Sequence, residues 1–299
     1  MNKNFVKKLS SLCLGTVQLG QHYGVNNALG RQPRREESFD ILRRALNAGI
    51  EYFDTASAYG DAEEILGDFG IGHYPVKIIS KLRGGATPNE GAVVEEVKAS
   101  LERLCMEALY GYMLHDVKDF DNPVIMRGLE RAKEQGLIAH IGVSIYEPED
   151  ALRTVRDKRV SIIQVPYNVL DQRLDDTEFF ELREKNCTEV FARSAFLQGL
   201  LLMQPEDVPP KLQKAQPYIR MFRSIAKECH FSVSEAAFLY SYCHPGIDHV
   251  VFGVDTVDQL ERNLKSLNSV DRFEECYLRL RGAFHDVPRG ILVPSLWNL

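Results

Sequence analysis

Residues 50–60, IEYFDTASAYG, join a short β-prone run to two side chains that can take part in proton transfer. The first four residues predict a strand that ends at Asp54, and Tyr59 follows in the turn before an acidic helix start. A carboxylate and a phenol at one strand end suggest acid–base chemistry. A tyrosine in a strand–helix loop can equally serve packing, so the functional interpretation depends on the rest of the chain.

Two later apolar runs also end on residues that can ionise. The run 76–81 finishes on Lys81, and the run 109–114 is followed by His115. In a parallel barrel the carboxyl ends of the strands open onto one face, where the active sites of that architecture lie. Asp54, Tyr59, Lys81 and His115 are therefore predicted to meet in space.

The chain repeats a short apolar strand followed by a longer amphipathic segment, which is typical of βα units and a parallel sheet. Eight such units predict a closed (β/α)8 barrel, because eight strands are enough to close one. The predicted strands are 12–16, 50–54, 76–81, 109–114, 138–143, 161–166, 188–192 and 250–252. The predicted helices are 36–48, 61–69, 88–104, 121–135, 147–157, about 175–185, 212–243 and 256–267.

The length of 299 residues suits one barrel with additions, since such a barrel takes about 250 residues as a unit. We predict one domain over 1–299. Residues 269–284 are expected to form one extra helix. The segment 287–299 is expected to form a tail over or beside the barrel mouth.

Composition excludes several classes of protein. The net charge of −6 and the absence of a Lys/Arg block disfavour nucleic-acid binding. No stretch approaches the ~20 apolar residues of a membrane span. The six cysteines are scattered without a CxxC pair, which indicates reduced thiols and no zinc site. These features predict a cytoplasmic protein without a metal, and they leave its oligomeric state open.

The four strand-end residues, together with Gly142-Val143-Ser144, resemble the pattern of the aldo-keto reductase superfamily in the same order. The resemblance runs from Leu14 to about Leu267. It implies NAD(P)H-dependent reduction of an aldehyde or ketone by hydride transfer. Tyr59 would be the general acid, Lys81 would lower its pKa, Asp54 would hold Lys81, and His115 would orient the substrate oxygen.

No G-x-G-x-x-G follows a strand, so a Rossmann fingerprint is absent. The family instead binds its nicotinamide cofactor extended across the carboxyl face of the barrel. The resemblance implies that Ser144 and Gln164 hold the carboxamide. The further cofactor contacts that it implies are Gly15, Thr16, Asp54, Arg193, Ser194, Gly199, Gly253, Asp255, Thr256, Gln259 and Asn263.

The chain departs from the family pattern at several of these positions. Ile145 replaces an asparagine that often contacts the carboxamide, and Arg193 stands where many relatives stack an aromatic ring on the nicotinamide. A planar guanidinium can stack instead. The family residues that often bind the 2′-phosphate of NADP(H) are replaced in this chain. The carboxylate of Asp255 would repel that phosphate. The resemblance implies NADP(H), and Asp255 leaves NAD(H) as the alternative.

The sequence indicates the type of reaction more clearly than it indicates the substrate. His22 and Tyr23 lie in the first loop, where polar and aromatic groups suit a hydroxylated carbonyl compound such as a sugar derivative, although loop packing explains them equally well. Trp297 in the tail is a further candidate for substrate contact, beside Tyr59 and His115. An alternative function is a cofactor-binding regulatory subunit with little turnover, as in potassium-channel β-subunits.

Overall fold

A computed structural model describes residues 11–85 and 89–297, in which eight parallel strands close into a barrel. The strands follow one another in chain order, and β1 pairs with both β2 and β8. This confirms the predicted (β/α)8 architecture. The strands are β1 Leu12–Gly15, β2 Tyr52–Asp54, β3 Lys77–Leu82, β4 Leu109–Leu114, β5 Ile138–Ser144, β6 Ile162–Pro166, β7 Glu189–Arg193 and β8 His249–Gly253.

Helices surround the barrel and pack their apolar faces on the outer side of the strands. Within the described ranges they are α1 Val17–Gly20, α2 Arg35–Asn47, α3 Ala62–Phe69, α4 Glu90–Leu104, α5 Pro123–Glu134, α6 Pro148–Val155, α7 Phe179–Lys185, α8 Gln216–Glu228, α9 Val233–Tyr242, α10 Val257–Ser266, α11 Glu274–Arg281 and α12 Arg289–Leu292. No helix of the described residues is both long and apolar enough to cross a membrane.

Helix α4 shows how the local sequence determines where a helix begins, where it ends and which side chains it buries. Asn89 caps it by accepting a hydrogen bond from the backbone of Ala92, and the helix ends where Cys105 turns left-handed at φ 52°. Its valines and leucines recur at helical spacing and are buried, and each contributes about 1.5–3 kcal/mol on full burial. The predicted start at residue 88 lies outside the described residues.

The interior of the barrel is filled by side chains from alternate strands. The side chain of Ile162 on β6 extends across the barrel interior toward β4 and β5. One position on each of these two strands must therefore be glycine. A Cβ at Gly111 would lie 2.4 Å from Ile162 Cδ1, and one at Gly142 would lie 2.5 Å from Ile162 Cγ1. The other interior residues of this cluster are Cys13, Tyr52, Ile79, Met113, Phe191 and Val251.

The prediction of two long, continuous helices is wrong, because each segment is interrupted. The segment 212–243 divides into α8 and α9, because His230 turns left-handed at φ 61° and Ser232 then caps the new helix with Glu235. The segment 269–284 divides into a 3-10 helix, Leu267–Arg272, and the shorter α11. Helix α7 also begins later than predicted, at Phe179.

The C-terminal tail folds back onto the barrel. Arg289 donates to Glu147 at 2.8 Å, which places α12 beside the loop after β5. Trp297 is 4% exposed, and its indole N–H donates to the carbonyl of Ile291 at 3.2 Å. The apolar tail residues Ile291, Leu292, Val293 and Trp297 are buried as part of the main hydrophobic core. Residues 298 and 299 of the predicted tail lie outside the described residues.

Candidate active site

The four predicted catalytic side chains meet at the carboxyl end of the barrel. Lys81 Nζ lies 2.7 Å from Asp54 Oδ1 and 3.3 Å from Tyr59 Oη, and it also donates to the carbonyl of Thr55 at 2.9 Å. The ring of His115 stands edge-on to the ring of Tyr59, with 5.6 Å between centroids. These groups come from β2 and β3 and from the loops after β2 and β4, so the parallel strands bring them together.

Burial and the neighbouring charges shift the pKa values of Lys81 and Tyr59 in opposite directions. Burial disfavours the charge on Lys81, but Asp54 and Tyr59 outweigh it, and the pKa of Lys81 is raised. Burial raises the pKa of Tyr59, and the Lys81 ammonium lowers it by less. The expected lowering by Lys81 is present, yet the net direction for Tyr59 is upward. At neutral pH the phenol is thus a protonated donor beside a cation.

His115 is a neutral imidazole at neutral pH. Burial, followed by the charges of Lys81 and Arg193, lowers the pKa of His115 to about 4. A neutral ring keeps one N–H donor and adds no charge to the site. This arrangement suits hydrogen bonding to a carbonyl oxygen without competing with Tyr59 as the proton source.

A cleft of about 460 Å³ opens from these groups across the carboxyl face of the barrel. Its size lies in the range of small-molecule sites. The predicted residues that line it are Gly15, Tyr23, Asp54, Tyr59, His115, Ser144, Gln164, Arg193, Ser194, Gly199, Gly253, Asp255, Gln259 and Asn263.

Five predicted residues lie outside the cleft lining. Lys81 is fully buried beneath Tyr59, and Thr16 is buried with its hydroxyl donating to the carbonyl of Asp54. Thr256 caps α10. His22 is exposed on the first loop. Trp297 packs within the tail, so substrate contact by Trp297 is not supported; its neighbours Pro294 and Ser295 reach the cleft instead.

Gln164 and Ser144 sit side by side on β6 and β5, as a carboxamide site requires. Gln164 Nε2 donates to Asp54 Oδ1 at 2.7 Å, which fixes the amide and directs its oxygen away from Asp54. Both side chains are almost fully buried. The Ser144–Gln164 pair could therefore supply a hydroxyl and an amide oxygen to a nicotinamide carboxamide.

Arg193 is held at the end of β7 against Tyr146. Its guanidinium carbon lies 4.0 Å from the centre of the Tyr146 ring. One nitrogen donates to the carbonyl of Ile145 at 2.9 Å, and another donates to the hydroxyl of Ser194 at 3.2 Å. One face of the guanidinium is thus covered by an aromatic ring while the residue still lines the cleft.

At the far end of the cleft, Asp255 joins the first loop to the turn after β8. Its carboxylate accepts from Asn27 Nδ2 at 3.1 Å and from the backbone of Ala28 at 3.0 Å. Gln259 donates to it at 3.3 Å, and the backbone N–H of Asp255 donates back to Gln259. Both carboxylate oxygens thus accept hydrogen bonds from the protein, and Asp255 still lines the cleft.

Among the side chains that line the cleft and that sequence reasoning missed are Gln18, Tyr146 and Arg262. Arg262 could have been found from spacing, because it lies one turn after Gln259 on α10. Tyr146 follows Ser144 by two residues, but its partner Arg193 is distant in sequence. No sequence signal marks Gln18.

One polar atom of the cleft wall lacks a partner within the described part of the chain and suits a bound dinucleotide. The side-chain oxygen of Gln18 is buried in the cleft wall with no hydrogen-bond partner among the described residues, so it can accept from a ligand. Two glycines of the cleft lining allow neighbouring protein atoms to pack closely against the backbone. A Cβ at Gly199 would lie 2.8 Å from Asn26 Cβ, and one at Gly253 would lie 2.0 Å from Gln18 Oε1.

Comparisons with known proteins agree with this geometry. The model of the Aldo/keto reductase family matches residues 11–277. The chain is 26% identical over 292 residues to the uncharacterized oxidoreductase YqkF of Bacillus subtilis, covering 89% of this chain and 90% of that protein. It is also 26% identical over 306 residues to L-glyceraldehyde 3-phosphate reductase of Escherichia coli, covering 88% and 85% of the two proteins.

Among solved structures, the aldo-keto reductase AKR11C1 from Bacillus halodurans in its holo form superposes with a TM-score of 0.73 at 20% identity. The match covers 93% of this chain and 95% of that one, and it supports the fold. The barrel and its four polar groups define an oxidoreductase of the NAD(P)H-dependent kind. The chain belongs to the aldo/keto reductase family, whose members act on small carbonyl compounds with nicotinamide cofactors.

Proposed function

We propose that the protein reduces a small hydroxylated aldehyde or ketone with NADPH, and that Tyr59 is the general acid. The observation that carries this proposal is the position of Tyr59 Oη, 3.3 Å from a buried ammonium and beside the His115 ring at the head of the cleft. A protonated phenol next to a fixed cation can release a proton where negative charge develops.

Each of the four residues has a distinct task in this mechanism. The bound cofactor supplies the hydride. Tyr59 gives its proton to the carbonyl oxygen as charge builds there, and His115 donates a hydrogen bond that orients the same oxygen. Lys81 stabilises the phenolate that remains. Asp54 keeps Lys81 charged and in place through their 2.7 Å ion pair.

The cofactor would lie along the cleft wall from the catalytic groups to α10. Ser144 and Gln164 would hold the carboxamide, and Arg193 would support the nicotinamide ring in place of an aromatic side chain. Ser194, Gly199 and Gly253, which line the cleft, would follow the ribose and pyrophosphate. Gln259 and Asn263 would meet the adenosine end.

The preference for NADPH rests on Arg262. This exposed arginine lines the cleft on α10 and forms no ion pair within residues 11–85 and 89–297. A free guanidinium at the adenosine end can bind a 2′-phosphate in a bidentate way. The Asp255 carboxylate keeps its charge, but Asn27 and Ala28 hold it toward the first loop.

The hydroxylated substrate is supported by the groups around Tyr59. Tyr23 and Tyr146 place two further phenols in the cleft, and Ser295 of the tail adds a hydroxyl. The relative from Escherichia coli is named for reducing L-glyceraldehyde 3-phosphate, which is a hydroxylated aldehyde. Polar groups of this kind hydrogen-bond hydroxyls that a purely apolar carbonyl compound lacks.

The mechanism is tested by turnover of a carbonyl panel with NADPH in the wild type and in Tyr59→Phe. We expect kcat to fall by roughly 10²–10⁴-fold while the Kd for NADPH stays within about twofold. Unchanged kcat in Tyr59→Phe would refute the mechanism. Tight NADPH binding with negligible turnover on hydroxylated and simple carbonyls alike would favour the regulatory-subunit alternative.

The cofactor preference is tested by titrating NADPH and NADH by fluorescence. Arg262→Ala should raise the Kd for NADPH by about tenfold, which is the scale of one charge-assisted contact. The Kd for NADH should be unchanged. Lys265→Ala is the matched control, because Lys265 is an exposed cation on the same helix that does not line the cleft. Equal losses for both nucleotides would contradict the assignment.

A further inference from the structure

Arg193 brings to the reacting end of the cleft a positive charge that has no ion-pair partner of its own among the described residues, since Asp171, the carboxylate that interacts with this charge, is paired with Arg173. Its two hydrogen-bond acceptors, the carbonyl of Ile145 and the hydroxyl of Ser194, are both neutral. Within the part of the chain that the structure describes, no carboxylate forms an ion pair with it. Lys81 differs, since Asp54 neutralises its charge at 2.7 Å.

The charge of Arg193 is held firmly and acts on the catalytic groups. Two hydrogen bonds and the Tyr146 ring at 4.0 Å restrict the guanidinium. Its field contributes to lowering the pKa of His115, and it opposes the burial that raises the pKa of Tyr59. A nicotinamide ring placed beside these groups would lie within reach of the same field.

The two redox forms of the cofactor differ in charge at that ring. The oxidised nicotinamide is a cationic pyridinium, whereas the reduced dihydropyridine is neutral. We propose that Arg193 makes the protein bind the reduced cofactor more tightly than the oxidised one, and so biases the bound pair toward carbonyl reduction. This inference rests on the proposed function, because it takes the nicotinamide to lie against Arg193.

The residue type at this position decides the sign of the effect. An aromatic ring presents a negative face that attracts a cation, so it would favour the oxidised pyridinium. A guanidinium offers a flat stacking surface of similar extent but repels the pyridinium. The substitution of arginine for the aromatic residue therefore keeps a stacking partner and reverses its electrostatic preference.

The proposal is tested by the ratio of two dissociation constants, Kd for NADP⁺ over Kd for NADPH, measured by calorimetry at one pH and one salt concentration. The phosphates are common to both forms, so their contacts cancel in the ratio. We expect the wild-type ratio to be about ten or more, given one unit charge within stacking distance. A tenfold ratio corresponds to about 30 mV for this two-electron couple.

Arg193→Gln removes the charge and keeps a planar group, so its ratio should fall about tenfold, mainly through tighter binding of NADP⁺. Arg193→Lys keeps a positive charge but loses the planar group, so it holds the ring less firmly, yet its ratio should stay well above that of Arg193→Gln. Circular dichroism spectra verify that both variants fold.

A wild-type ratio near one overturns the proposal without any variant. Equal weakening of both forms in Arg193→Gln overturns it as well, because that result assigns Arg193 only a stacking role. If the wild type binds neither nucleotide, the proposed function fails with it. Tight binding of both forms with equal affinity refutes the electrostatic role of Arg193 alone.

Discussion

Lys81→Met removes a fully buried ammonium while keeping most of the side-chain shape. The Lys81 side chain is 0% exposed and its partner Asp54 is 5% exposed. Removing one member of a buried ion pair costs about 3–5 kcal/mol, because the remaining charge is left uncompensated. Asp54 would keep its hydrogen bond from Gln164 at 2.7 Å. We therefore expect a loss near the lower end, about 3 kcal/mol of unfolding free energy.

Urea unfolding followed by circular dichroism measures this loss. The double variant Asp54→Asn/Lys81→Met removes both charges, and it should recover about 1 kcal/mol or more relative to Lys81→Met. The recovery separates the cost of an orphaned carboxylate from the cost of lost packing. If Lys81→Met unfolds within about 0.5 kcal/mol of the wild type, the pair is not the buried, coupled unit described above.

Two further perturbations probe the barrel and the site. Gly142→Ala should lose about 1–3 kcal/mol of unfolding free energy, since its Cβ would lie 2.5 Å from Ile162 Cγ1; Gly290→Ala, with no atom within 4 Å, is the control and should be neutral. His115 has its pKa lowered to about 4, so its contribution to stability is complete above about pH 6.5 and is lost as the pH falls toward 4. Urea midpoints between pH 7 and 4 should therefore fall more steeply for the wild type than for His115→Gln, and parallel slopes would contradict the burial of a neutral imidazole.

The barrel and the meeting of the four predicted site residues could be predicted because both depend on strand ends. Apolar runs mark the strands, and the parallel arrangement brings Asp54, Lys81 and His115 to one face whatever the loops do. The break at His230 could not be predicted in the same way, since it depends on a single left-handed residue between two helical patterns. The tail was also beyond sequence reasoning: Trp297 turns into its own segment because an indole N–H finds a backbone carbonyl there.

The pKa values and charge interactions of the site were the features least predictable from the sequence. The net pKa of Tyr59 depends on burial, which the neighbouring residues in sequence do not reveal. The role of Asp255 depends on Asn27 and Ala28, which precede it by more than 220 residues. The Asp255 carboxylate, considered in the sequence only for its effect on the cofactor, also holds the first loop.

The pairing of β1 with β8 has a consequence for how the protein matures in the cell. The first strand is synthesised more than 230 residues before its partner, so the seam of the barrel closes only when β8 has emerged from the ribosome. Gln18 and Gly253 face each other across that seam. Nascent chains that stop short of His249 therefore lack β8 and the Gly253 side of the cleft.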